Sequence, residues 1–305
     1  MTELITPLVS VQHLRKYFGS TMAVGDVSFS VEAGEVFGLL GPNGAGKTTT
    51  IRMILDIFKQ DAGTIEVFGG PLSNQKRDRI GYMPEERGLY PHMKVIDCLI
   101  YLGMLKGMTR KAARQSAESY LERLELSDSY RTKIEALSRG MTQKVQVIAA
   151  VIHQPDLLII DEPFANLDPV NAQMVRNIFL DLRNQGGAII VTSHRLPMVE
   201  TLCDRIALIH QGTVVLKGTV AEVRRQFARN VLHLSGSGDL GQPTNVASID
   251  RRTATEWYLF LEPNTNPKQV LEEIVANHDF IIDRFEVAMP TLDEIFVEVV
   301  KAKNL

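Results

Sequence analysis

Between residues 9 and 40, apolar positions fall in short runs separated by polar turns, the pattern of short strands with tight connections. "AGEVFGLLG" is an apolar run closed by glycine and predicts a buried strand. "KTTTIRMILDIF" changes period: Ile51, Ile54, Leu55 and Phe58 fall on one side of a helix. "GTIEVFG" predicts a strand between glycines, and residues 95–127 are helical in two stretches, "VIDCLIYLGMLKGM" and "RKAARQSAESYLERLEL". The run "KVQVIAAVI" also has helical spacing. "DLLIID" and "GAIIVTS" predict strands buried on both faces, and between them "NAQMVRNIFLDLRNQG" is an amphipathic helix stopped by Gly186. Strands alternating with helices imply an α/β fold with a mostly parallel sheet.

Near residue 220 the pattern changes. "SGSGDLGQPTN" is loop-like, "TEWYLFLEP" and "FIIDRFEV" predict strands, and "PKQVLEEIVAN" and "TLDEIFVEVVKAK" predict helices. The expected division is therefore residues 1–220, then a small appended α+β domain over 221–305.

Composition narrows the partners more than the fold. The 305 residues are 45% hydrophobic and carry a net charge of -3, so no global basic footprint for nucleic acid is present. Cys98 and Cys203 form neither a disulfide framework nor a metal spacing, which suits a reducing compartment. The start "MTELITPLVSVQHLRK" is not expected to be a signal peptide. The run from Val145 to Ile160 is interrupted by Gln146, His153, Gln154, Pro155 and Asp156, too polar to span a bilayer, so a membrane role is expected only through a partner.

The chemistry lies in "GPNGAGKTT", Gly41 to Thr49, which fits G-x-x-x-x-G-K-[ST] between a glycine-ended strand and an apolar-faced helix. Gly41, Pro42, Asn43, Gly44, Ala45 and Gly46 form a loop whose backbone N–H groups can wrap phosphate oxygens. Lys47 brings a point charge, Thr48 a hydroxyl suited to Mg²⁺, and Thr49 lies in the first helical turn. A glycine-rich turn without ligand is the bland alternative; the strand–loop–helix context argues against it. Asp161 ends the strand "LLIID", where a P-loop fold puts the carboxylate serving Mg²⁺, and Glu162 is a candidate general base toward water. The stretch "LSRGMTQ", residues 137–143, holds no histidine or aspartate that would make Ser138 a nucleophile; by itself it reads as a helix cap.

Taken together, these motifs resemble the nucleotide-binding subunit of an ABC transporter over residues 8 to about 220. "GPNGAGKTT" resembles Walker A, "LLIIDE" Walker B, "ANLD" the D-loop ending in Asp168, "TSH" the switch histidine, here His194, and "LSRGM" the signature, usually LSGGQ. The resemblance implies a mostly parallel sheet core with an antiparallel β subdomain and a helical signature subdomain at about 86–155. It implies ATP and Mg²⁺ as ligands, with Thr48, Asp161 and Glu85 toward the metal; most of the family has glutamine where Glu85 stands. Phe18 in "KYFG" matches the aromatic that stacks on adenine, Tyr17 being the neighbouring alternative. It implies a dimer of ATPase domains paired head to tail, in which Ser138 and Gly140 of one copy face the γ-phosphate held by the other. Arg139 and Met141 depart from the common signature but leave the serine and the first-turn amides in place. Catalysis is implied for Glu162, His194 and Lys47.

The same resemblance implies a separate transmembrane permease, contacted near Tyr90, Pro91 and Met93, and a cytoplasmic location on the inner face of the plasma membrane. "PEERGLYP" resembles one export-type branch that includes sodium-efflux ATPases and carries an appended C-terminal domain. The rival reading is a soluble ABC ATPase acting on the ribosome or nucleic acid; the single P-loop and the absence of a long coiled coil speak against it. His13, His92, His153, His210, His233 and His278 are read as ordinary.

Overall fold

The computed structural model describes residues 7–85, 88–193, 196–227, 231–262 and 265–303. They fall into two compact units, Met1–Val220 and Ala221–Leu305.

The first unit opens with a hairpin, β1 (Val9–Phe18) and β2 (Thr21–Val31), then β3 (Val36–Leu40) and α1 (Lys47–Ile54). β1 and β2 have 10 and 11 residues, longer than the short strands expected, because register shifts in β1 absorb the breaks in alternation. β4 (Ala62–Val67), the short α2 (Asn74–Arg77) and β5 (Ile80–Met83) follow, then the helices α3 (Val95–Leu105), α4 (Arg110–Arg123) and α5 (Arg139–Val151). The unit closes with β6 (Leu157–Asp161), α6 (Pro169–Asn184), β7 (Ala188–Thr192), α7 (Leu196–Leu202), β8 (Arg205–His210) and β9 (Thr213–Thr219).

These nine strands form one sheet in the order β4-β1-β2-β9-β8-β3-β7-β6-β5. β8, β3, β7, β6 and β5 are mutually parallel, whereas β1 pairs antiparallel with β2 and β4. All five residues of β3, β6 and β7 are buried, as expected for strands covered on both faces. A core of Val9, Phe29, Phe37, Ile51, Ile54, Ile159 and Ile190 joins the antiparallel part to the parallel part through α1. α1 stops earlier than its apolar spacing suggested: Asp56 takes φ 57, so Phe58 packs on the core from outside the helix. α3 packs on α4 and α5, and α5 lies against β5.

The second unit follows α8 (Val220–Gln226). It comprises β10 (Val231–Gly238), β11 (Val246–Arg251), β12 (Glu256–Leu261), α9 (Pro267–Ala276), β13 (Phe280–Val287) and α10 (Leu292–Lys303). Its sheet is antiparallel, in the order β11-β12-β10-β13. Leu232, Leu234, Trp257 and Leu259 form its core with Val270 and Ile274 of α9. The "SGSG" stretch, expected as loop, is the end of β10. A Cβ on Gly236 would lie 2.1 Å from the Ile281 carbonyl oxygen, so only glycine permits that close pairing beside the register shift with β13.

Candidate nucleotide site

The site is built at the ends of β3, β6 and β7. After Leu40 the chain turns through Gly41 at φ 148 and reaches α1 through Gly46 at φ 106. A Cβ on Gly41 would stand 2.2 Å from the Ile209 carbonyl oxygen, and one on Gly46 2.6 Å from that of Ala23. The loop is thus pressed between the end of β8 and the start of β2, and both positions require glycine. Ala45 is buried, and its carbonyl accepts the Gly212 N–H at 3.0 Å. Asn43 and Gly44 face outward. The N–H groups of the first turn of α1 have no partners inside the helix, which makes this end an anion cradle.

Lys47 is the first residue of α1 and is 8% exposed. Its ammonium donates to the carbonyls of Gly41 at 2.7 Å and Pro42 at 3.0 Å. Burial pushes its pKa down, while the carboxylates of Asp161, Glu162 and Glu85 push it back up. That interaction gathers acids from two separate segments, the end of β6 and the loop after β5, around one cation.

Asp161 ends β6 and is buried. Its Oδ2 accepts a hydrogen bond from Thr48 Oγ1 at 3.2 Å, and its Oδ1 accepts one from Thr192 Oγ1 at the end of β7. Thr48 and Asp161 therefore present adjacent hard oxygen donors, and the donor set fits Mg²⁺. Glu162, next in sequence, leaves the strand by adopting φ 51, a left-handed conformation uncommon for a residue with a side chain. Ser193 Oγ donates to Glu162 Oε2 at 3.3 Å.

The other expected residues sit around this centre. Phe18, at the end of β1, is 46% exposed, edge-on to Phe58 at 5.4 Å, with Lys16 Nζ 5.5 Å from its ring. Tyr17 is also exposed; its N–H donates to Asp61 Oδ2 at 2.7 Å. Phe18 pairs with Thr21, and Ala23, against which Gly46 is packed, lies two residues further along β2, roughly 7 Å at strand rise. Glu85 is exposed beyond β5. Ser138 is the N-cap of α5, accepting from the Met141 N–H at 3.2 Å, and a Cβ on Gly140 would stand 3.1 Å from the Asn166 carbonyl oxygen. Asp168 caps α6, accepting from the backbone N–H of Asn171 at 2.9 Å and from its side chain at 2.5 Å, which lowers its pKa. His194 lies outside the described residues.

Three residues at the site went unforeseen. Thr192 is a fully buried hydroxyl ending an apolar strand; a polar residue in that place was the available signal. Gln143 and Lys144 look like the polar side of α5 but are buried. Gln143 Nε2 donates to the carbonyls of Glu162 and Pro163, both at 3.1 Å. Lys144 Nζ donates to the carbonyl of Leu124 at 2.6 Å and to Asn171 Oδ1 at 2.9 Å.

Comparison with known proteins fixes the family. Residues 24–165 match the ABC transporter family, and residues 218–300 match the C-terminal domain of ATP-binding proteins like DrrA1-3. The uncharacterized ABC transporter ATP-binding protein YhaQ of Bacillus subtilis is 38% identical over 97% of this chain and 99% of its own. The chain belongs to the ABC transporter ATP-binding protein family. It is an ABC ATPase, of a family whose domain hydrolyses ATP. The Nod factor export ATP-binding protein I of Burkholderia lata is 34% identical to this ABC ATPase, over 75% of this chain and 76% of its own. A solved structure described as the ATP binding subunit of an ABC transporter superposes with a TM-score of 0.68 at 31% identity, covering 72% of this chain and 93% of that one.

Proposed function

We propose that this ABC ATPase binds Mg-ATP at the Lys47 loop, pairs with a second ATPase domain, and drives a separate membrane permease in an export direction. The observation that carries the reading is the convergence of Lys47, Thr48, Asp161 and Glu162 at neighbouring strand ends. Gly41 to Gly46, with Lys47, Thr48 and Thr49, hold the β- and γ-phosphates of ATP. Thr48 and Asp161, joined by Glu85, would hold Mg²⁺, which neutralises charge on the phosphates. Phe18 offers its open ring to the adenine.

Glu162 accepts a proton from water as the water oxygen bonds to the γ-phosphorus. The bond to the bridging oxygen breaks, leaving ADP and phosphate. His194 orients the γ-phosphate. Ser138 and Gly140 of the opposing copy complete the site with free amides and the positive end of α5, and Asp168 stands at the dimer seam.

The permease surface is proposed beside the helical region. Tyr90, Tyr101, Met104 and Leu105 are each more than two-fifths exposed, next to a cavity of about 200 Å³ between β5, α3 and α5. None of the described helices is long and apolar enough to cross a membrane. A permease on another chain would hold this subunit at the inner face of the plasma membrane. The name of the Burkholderia relative supports export, and no nucleic-acid partner is expected at a net charge of -3. Residues 221–305 are proposed as an accessory domain.

The test is phosphate release from Mg-ATP by wild type, Glu162→Gln and Glu85→Gln with the permease present. Glu162→Gln is expected to lose about 10²–10⁴-fold in turnover while trapping an ATP-bound dimer. Glu85→Gln is expected to keep substantial turnover. The opposite ranking would show that the base has been misassigned.

A further inference from the structure

Glu162 is held in a backbone conformation that few residues with a side chain adopt. Its φ is 51, and it precedes a proline, which restricts it further. A residue so placed is strained and persists only where its surroundings determine it. Among the described residues, three backbone contacts help to do so. The Glu162 N–H donates to the Thr192 carbonyl at 3.1 Å, and its own carbonyl accepts the Ala165 N–H at 3.2 Å. The third is the side-chain amide of Gln143, which reaches the carbonyls of both Glu162 and Pro163. An amide nitrogen carries two hydrogens, so both donors of Gln143 are used on this one turn. Gln143 is 8% exposed, and water is largely kept from replacing those bonds.

The origin of that amide matters as much as its target. Gln143 stands on α5, five residues after the cap Ser138, roughly 7.5 Å along a rigid rod. Whatever fixes the first turn of α5 also fixes Gln143, and through it the turn that aims Glu162. Lys144 makes the corresponding tie on the next side of α5, to Asn171, which bonds the α6 cap Asp168. We propose that Gln143 is a positioning residue for ATP hydrolysis: it clamps the Glu162–Pro163 turn to the helix that begins at Ser138 and acts on the reaction only through Glu162. The inference rests on the reading of Glu162 as general base.

The experiment is a double-mutant cycle on the full chain, measuring steady-state phosphate release over a range of Mg-ATP concentrations. Gln143→Met keeps the volume and removes both bonds. Gln143→Asn, a milder change, keeps an amide that is one carbon too short. Each is expected to lower kcat roughly tenfold or more, as small displacements of a catalytic group do, with the KM for ATP moving less than about threefold. In the Glu162→Gln background the same changes are expected to cost almost nothing, since no carboxylate remains to be aimed. Wild-type kcat in both Gln143 variants would overturn the inference. So would an equal fold-loss in the two backgrounds, the result of a merely structural role. Wild-type turnover in Glu162→Gln alone overturns the base assignment itself, a failure visible before Gln143 is touched.

Discussion

His153 sits where the chain leaves α5, in the wall of the cavity between β5, α3 and α5. Its Nε2 faces the Ile80 carbonyl at 3.3 Å, and its Nδ1 is buried with no hydrogen-bond partner among the described residues. Burial, helped by the nearby Lys106 ammonium and opposed by the Ile80 carbonyl and Asp78, lowers its pKa from 6.5 to about 4. The folded state thus keeps this imidazole neutral in a range where the unfolded chain protonates it. Above the unfolded pKa both states are neutral and the site contributes nothing to the pH dependence. As the pH falls from 6.5 toward 4, the unfolded state gains the proton and stability drops. Integrating the two titrations gives a loss of about 2 kcal/mol by about pH 5. His153→Asn retains a neutral donor and cannot titrate. Thermal melts followed by far-UV circular dichroism at about pH 7.5 and about pH 5 should show wild type losing roughly 4–8 °C more than His153→Asn, for a folding unit of this size. A gap between the two proteins that does not change with pH would refute the reasoning, because a fixed packing loss is independent of protonation.

Two further outcomes follow from named contacts. Ser138→Ala removes the cap on the Met141 N–H and should cost about 1 kcal/mol, whereas Ser138→Asp keeps a capping acceptor and sets an anion where a facing phosphate is proposed. Ser138→Asp should therefore melt like wild type yet fail to dimerise with ATP in a Glu162→Gln background; normal dimerisation by light scattering would rule out the trans contact. Gly81→Ala would place a Cβ 2.2 Å from the Ala150 carbonyl oxygen, where only backbone can yield, so urea unfolding should show a loss of about 1–3 kcal/mol. Unchanged stability would mean that α5 is free to move off β5.

How much was legible depended on whether a residue's task is local. The strand–loop–helix from Val36 to Ile54 could be read because period, glycines and lysine all lie within one short stretch. β8 and β9 were missed although Gln211 and Gly212, at φ 47 and 76, form a two-residue hairpin turn for which X-Gly is a known signal. The glycines ending β10 were misread because their need arises from the approach of β13, more than forty residues later. Gln143 and Lys144 were hidden for a similar reason. In sequence they are the polar face of an amphipathic helix, and only the return of residues 162–171 onto that face buries them.

Trp257 is the chain's one tryptophan, and it belongs to the second unit. It is 4% exposed, edge-on to Phe280 at 5.0 Å, with the Arg251 guanidinium 5.2 Å from its ring. Light absorbed by indole alone therefore reports on the C-terminal unit and on nothing in the ATPase unit. In one cuvette, red-edge emission can follow residues 221–305 while ellipticity follows both units. Whether nucleotide at the P-loop is felt by the accessory domain can thus be read optically, without attaching a label.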